Sequence, residues 1–75
     1  MELYRDWDHD SGICAYEIGE GYIVVQFKKG RYKLYKYTNI TAGSGHISQM
    51  QRLAKLGDGL NEYIVENKVK YESKR

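Results

Sequence analysis

Seventy-five residues carrying a net charge of +2 and a single cysteine describe one small domain. At this size roughly 60% of the unfolded chain's surface can be buried. Cys14 alone excludes a disulfide framework, and apolar runs of only a few residues exclude a membrane-spanning helix. The lone thiol and the absence of a signal-peptide pattern point to a cytoplasmic, reducing setting.

The charge is unevenly spread. Residues 1–20 hold six acids (Glu2, Asp6, Asp8, Asp10, Glu17, Glu20) against Arg5, whereas residues 21–75 hold eleven Lys or Arg against Asp58, Glu62, Glu66 and Glu72. Residues 1–10 read as an acidic lead-in. The stretch DWDHDSGICAYE places Asp6, Asp8, Asp10 and Glu17 at the first, third, fifth and twelfth positions of a calcium loop, with Ile13 at the apolar eighth. An EF-hand needs a helix on each side, yet a strand follows Glu17 and Ser11 stands where the sharp turn requires glycine. The expectation is an acidic lead-in without specific calcium binding.

ICAYEI (13–18) and YIVVQFK (22–28) are rich in β-branched and aromatic residues and read as strands joined by a turn at Gly19-Glu20-Gly21. RYKLYKY (31–37) alternates and follows a second turn at Lys29-Gly30, completing a three-stranded antiparallel meander. TNITAGSG (38–45) reads as a loop. In HISQMQRLAKLG, Ile47, Met50, Leu53 and Ala54 recur at helical spacing. Ser44 is a candidate N-cap and Gly57 a C-terminal stop, giving a helix near 46–56. Asp58 can cap a second helix near 59–67, with Leu60, Tyr63 and Ile64 in one stripe. The tail from residue 72 to 75 is expected to fray. Strands followed by helices imply an α+β domain with two short helices packed on one sheet face.

The second hairpin admits two registers, and a one-residue slip moves every side chain across the sheet. A two-residue loop at Lys29-Gly30 sets Val25 opposite Leu34. The outer face then carries Tyr22, Lys28, Arg31, Lys33, Tyr35 and Tyr37, where RNA bases could stack on the rings while cations neutralise phosphates. A three-residue loop, Lys28-Lys29-Gly30, with a left-handed Gly30 puts Tyr35 and Tyr37 in the core and leaves Leu34 exposed. Leu34 favours the first register and Gly30 the second, and the reading adopted is the first. Lys28, Lys29, Arg31, Lys33 and Lys36 equally suit a solvated hairpin tip that discourages edge-to-edge association.

Ser11-Gly12-Ile13, YIVVQF, Gly30, Tyr35-Lys36-Tyr37 and GDGLNEYI together resemble the KTSC family over most of residues 11–71. That family is named for the C-terminal region of some lysyl-tRNA synthetases and also occurs as small stand-alone bacterial proteins. Its central Tyr-x-Tyr corresponds to Tyr35 and Tyr37. The resemblance implies no established activity and suggests RNA as a partner by association with the synthetases.

No catalytic constellation is expected. Cys14 could pair with His9 or His46 as nucleophile and base, but it lies mid-strand, where a buried thiol is ordinarily inert. One Cys and two scattered His do not make a zinc site, and AGSG lacks the lysine of a phosphate loop. No cofactor is implied. The residues therefore point to a non-catalytic RNA-binding module using the aromatic and basic sheet face. The alternative is a protein-interaction or accessory module using the same aromatic patch.

Overall fold

The computed structural model describes residues 1–7 and 11–75. The elements run β1 (Glu2–Leu3), β2 (Ile13–Gly19), β3 (Tyr22–Phe27), β4 (Leu34–Thr38), α1 (Asn39–Ala42), α2 (Ser44–Leu56), α3 (Leu60–Glu66) and β5 (Ser73–Lys74). The five strands pair in chain order into one antiparallel sheet. The expected meander forms its middle three strands. The two edges come from segments read as lead-in and frayed tail. Leu3 pairs with Ala15, and Lys74 pairs with Tyr35. The tail is tied by backbone bonds: Glu72 N–H donates to Lys36 O (2.6 Å), Arg75 N–H to Leu34 O (2.9 Å), and Leu34 N–H to Arg75 O (2.8 Å). Backbone pairing places no demand on side-chain polarity, so the polar composition of KYESKR hides it.

The helical layer covers one face of the sheet. Ile47, Met50 and Ala54 of α2 and Leu60 and Ile64 of α3 are buried against Tyr16, Ile23, Val25 and Tyr37. Strand alternation and the 3.6-residue repeat thus meet in a single core, to which Tyr4 and Ile13 also belong. Residues 38–45 are not simply a loop. Thr38 accepts from Thr41 N–H while Thr41 Oγ1 accepts from Thr38 N–H, both at 3.3 Å, and this reciprocal cap holds the single turn of α1. A threonine standing where such caps usually have Glu or Gln explains why composition alone suggested a loop.

Two expected caps are displaced by one residue, to glycines. Gly43 rather than Ser44 precedes α2, and Gly59 rather than Asp58 precedes α3, and neither offers a side-chain bond. At α3 the hydroxyl of buried Tyr4 accepts from Leu60 N–H (3.2 Å) instead, satisfying one of the free donors of the first turn. Gly57 does end α2, in a left-handed conformation at φ 74°. A second demand falls on the same glycine, because a Cβ there would lie 2.6 Å from the Cβ of Arg5 as the N-terminal segment crosses the helix end.

The register of the second hairpin departs from the reading adopted from sequence. Val25 pairs with Tyr35 and Ile23 with Tyr37, which sets both tyrosines on the helix-covered face. Phe27 N–H donates to Lys33 O (2.8 Å), so the connection spans residues 28–32, longer than either loop considered. Tyr37 is 3% exposed, and Tyr35 packs edge-on against Phe27 with ring centroids 5.3 Å apart. Burying the Tyr37 ring and half-burying that of Tyr35 outweighs burying Leu34. The longer loop also relieves the crowding of four cations that a tight turn would force together.

Candidate aromatic and basic cleft

Beyond the end of the helical layer, the covered face of the sheet opens into a cleft of about 270 Å³. Phe27 of β3 and Tyr35 and Tyr37 of β4 reach it from the sheet, while Lys29, Gly30, Arg31 and Tyr32 reach it from the loop. Strand alternation aims these three rings to one side, and the long loop folds Tyr32 back over them.

The tail adds to this cluster. Tyr71 meets Tyr35 edge-on at 5.2 Å, and Lys74 Nζ lies 4.8 Å from the Tyr32 ring centroid and 5.4 Å from that of Tyr71. The Arg31 guanidinium stands 5.8 Å from the ring centroid of Tyr32, a residue 39% exposed. Such distances place both cations within reach of ring-face attraction. A hydrogen bond with the Tyr71 hydroxyl and the proximity of Tyr71, Tyr35 and Tyr32 hold the Lys74 ammonium above the ordinary lysine range, against the lowering effect of burial. Burial, with Tyr35 and Tyr71 close by, pushes the Tyr37 phenol up to about 12.

Of the six residues singled out from sequence, the structure brings Arg31, Tyr35 and Tyr37 together in the cleft. The other three lie elsewhere. Lys28 pairs with Asp6 (3.6 Å), a carboxylate 5% exposed. Burial raises the pKa of Asp6, but the Ser11 hydroxyl and N–H together with the Lys28 charge outweigh it and keep the group below the usual carboxylate value. Lys33 is exposed on the hairpin arm. Tyr22 lies on the opposite, helix-free face, where its hydroxyl donates to Glu17 Oε2 (3.0 Å) and Lys36 Nζ sits 5.1 Å from its ring centroid. The Glu17 bond and charge, with burial, raise the Tyr22 phenol above its usual value.

Six participants were missed, among them Lys29 and Gly30, which had been read as a turn. Phe27 had a visible signal, since alternation placed it on the core face beside Ile23 and Val25. Tyr32 had been assigned to a strand. Tyr71 and Lys74 gave no local signal, because only the pairing of the tail with β4 brings them to the cleft.

No family model, curated protein or solved structure matches the chain.

Other candidate chemistry lies away from this cleft. His46 Nδ1 and the Tyr63 hydroxyl are 2.6 Å apart, joining α2 to α3, and no described hydrogen bond links His46 to half-buried Cys14. His9, like Asp8 and Asp10 of the calcium-loop pattern, lies outside the described residues. Among the described residues no group of three or more His, Cys, Asp or Glu gathers, and no helix is long and apolar enough to cross a membrane.

Proposed function

We propose that the chain is a small non-catalytic module that binds single-stranded RNA through the cleft at the 28–32 loop. The observation carrying this reading is the association of exposed Tyr32 with two cations, Arg31 and Lys74, beside the half-buried ring of Tyr35. Single strands are held by rings on which bases stack and by cations that follow the phosphates. No described carboxylate lies within 4.0 Å of the side-chain cations of Lys29, Arg31, Lys33 or Lys74, which leaves their charge for a polyanion. The resemblance of Tyr35-Lys36-Tyr37 and the flanking segments to the KTSC family supports the same partner. It does so on new geometry, because the rings work from the covered side of the sheet and its end.

Fluorescence anisotropy with mixed-sequence single-stranded RNA at several salt concentrations tests the reading. Affinity should fall steeply with salt, with a slope near −0.7 per phosphate contacted, about two to four contacts in all. Arg31→Ala should flatten that slope by about one contact. Absent or salt-independent binding would contradict the proposal.

A protein partner is the second reading, favoured by the helix-free face. There Val24 and Leu34 are half-buried around a hollow of about 190 Å³ shared with Lys36, Glu72, Ser73 and Arg75. That surface mixes apolar and both charged types, as an interaction rim does.

A further inference from the structure

We infer that the cleft is a subsite for one nucleoside 5′-phosphate, with the base in the ring-lined hollow and the phosphate on the 28–32 loop; this rests on the reading of the cleft as a nucleic-acid site. The hollow of about 270 Å³ is smaller than the roughly 300–1,000 Å³ of pockets for drug-sized molecules and suits one ring system. Its walls supply Phe27, Tyr32 and Tyr35 as stacking partners. Tyr37 lines it too. No described hydrogen bond takes its hydroxyl, which can donate to or accept from the polar edge of a base.

The anion end is built from the loop. The N–H groups of Lys29, Gly30, Arg31 and Tyr32 meet no described acceptor, whereas the flanking Lys28 and Lys33 N–H groups donate to Gly12 O (2.8 Å) and Arg75 O (2.9 Å). Those two bonds pin the ends of the loop, and its middle donors are left without an acceptor among the described residues. Gly30, at φ 114°, takes a conformation that side-chain-bearing residues rarely adopt. Free backbone donors in such a turn attract anions, and here Lys29 and Arg31 add two positive charges beside them. Base-sized hollow and anion loop share the same lining residues, so one ligand can satisfy both. That chemistry is met by a free mononucleotide or by one unpaired nucleotide within a strand.

Isothermal calorimetry and amide-shift titrations on the full chain, at constant ionic strength, test this with adenosine 5′-monophosphate, uridine 5′-monophosphate, adenosine, inorganic phosphate and a short mixed-sequence RNA. A mononucleotide should bind saturably, shift the amides of Lys29 to Tyr32 and Tyr35, and bind at least about 10-fold more tightly than adenosine or phosphate. Tyr32→Ala and Arg31→Ala, both at exposed positions, should each weaken it roughly 5- to 100-fold, the range of a lost stack. Competition between mononucleotide and RNA for these amides supports a strand-borne nucleotide. Mononucleotide binding without RNA binding supports a free ligand and removes the RNA reading alone. RNA that moves the loop amides while neither mononucleotide binds or competes would overturn the single-nucleotide subsite and leave the RNA reading standing. Silence with every probe would overturn both.

Discussion

The two ends of the covered sheet face differ more than their sequences do. At one end Ile23 and Tyr37 lie under α2, and Gln51 Nε2 donates to the carbonyls of Gly19 (3.1 Å) and Tyr22 (3.0 Å), fastening the helix to the β2–β3 turn. At the other end Phe27 and Tyr35 continue the same alternation but stay half-buried at the margin of the core, and no described helix residue lines the cleft they form. Their rings are covered by each other and by Tyr71. Tyr35 and Tyr37 are two residues apart and point the same way. Both line the cleft, but Tyr37 also completes the core, whereas Tyr35 stays half-buried in the cleft wall. Alternation determines the face a side chain occupies, whereas the reach of the opposing layer determines whether that face is core or site.

The largest test of this contrast is Tyr37→Ala. Removing a ring from the covered end should cost about 3–5 kcal/mol, comparable to the whole stability of a small domain. Thermal melting should show an unfolded or barely folded variant, while Tyr32→Ala at the open end should melt within about 0.5 kcal/mol of the parent. Equal losses at both ends would break the comparison.

Alkaline unfolding sharpens it. A tyrosine in the unfolded chain titrates near 10, and Tyr37 in the fold near 12. The folded state therefore holds the proton more tightly, and stability is full below pH 10 and falls as pH rises toward 12. The loss should be of order 2 kcal/mol, read from urea unfolding at stepped pH. Tyr37→Phe should remove that portion of the pH dependence, provided the variant keeps its fold.

Much of this division could be read from the residues. The Ile47, Met50 and Ala54 stripe of α2, the stop at Gly57 and the Ile23 and Val25 alternation lie where their local patterns put them, because each is decided within a few residues. The hairpin register was not, since Leu34 and Gly30 argued oppositely and the deciding contacts were distant. Tyr71 packs on Tyr35, and Arg75 caps Leu34 through the backbone. The cleft was legible in kind, as tyrosines among cations. Its place was not, because Tyr32 comes from a loop read as strand and Lys74 from a tail read as frayed.

The smallest effect expected is at the junction of the two ends. Tyr71→Ala should remove one edge-to-face contact, worth about 0.5–1.5 kcal/mol, and loosen β5 without unfolding the sheet. Hydrogen exchange should show faster exchange at Leu34 and Arg75 with that at Ile23 and Val25 unchanged. Acceleration throughout the sheet would mean that the tail supports the core as well as the cleft.

The central proposal is that the open end of this face binds, while Ile23 and the helices over the covered end hold the fold. Amide chemical-shift mapping with single-stranded RNA at low salt tests it most directly. The account predicts changes confined to Phe27, residues 29–32, Tyr35, Tyr37, Tyr71 and Lys74, with Tyr22, Val24 and Lys36 on the opposite face unmoved. Changes centred on Tyr22, Val24, Leu34 and Lys36, with the 29–32 loop silent, would contradict it.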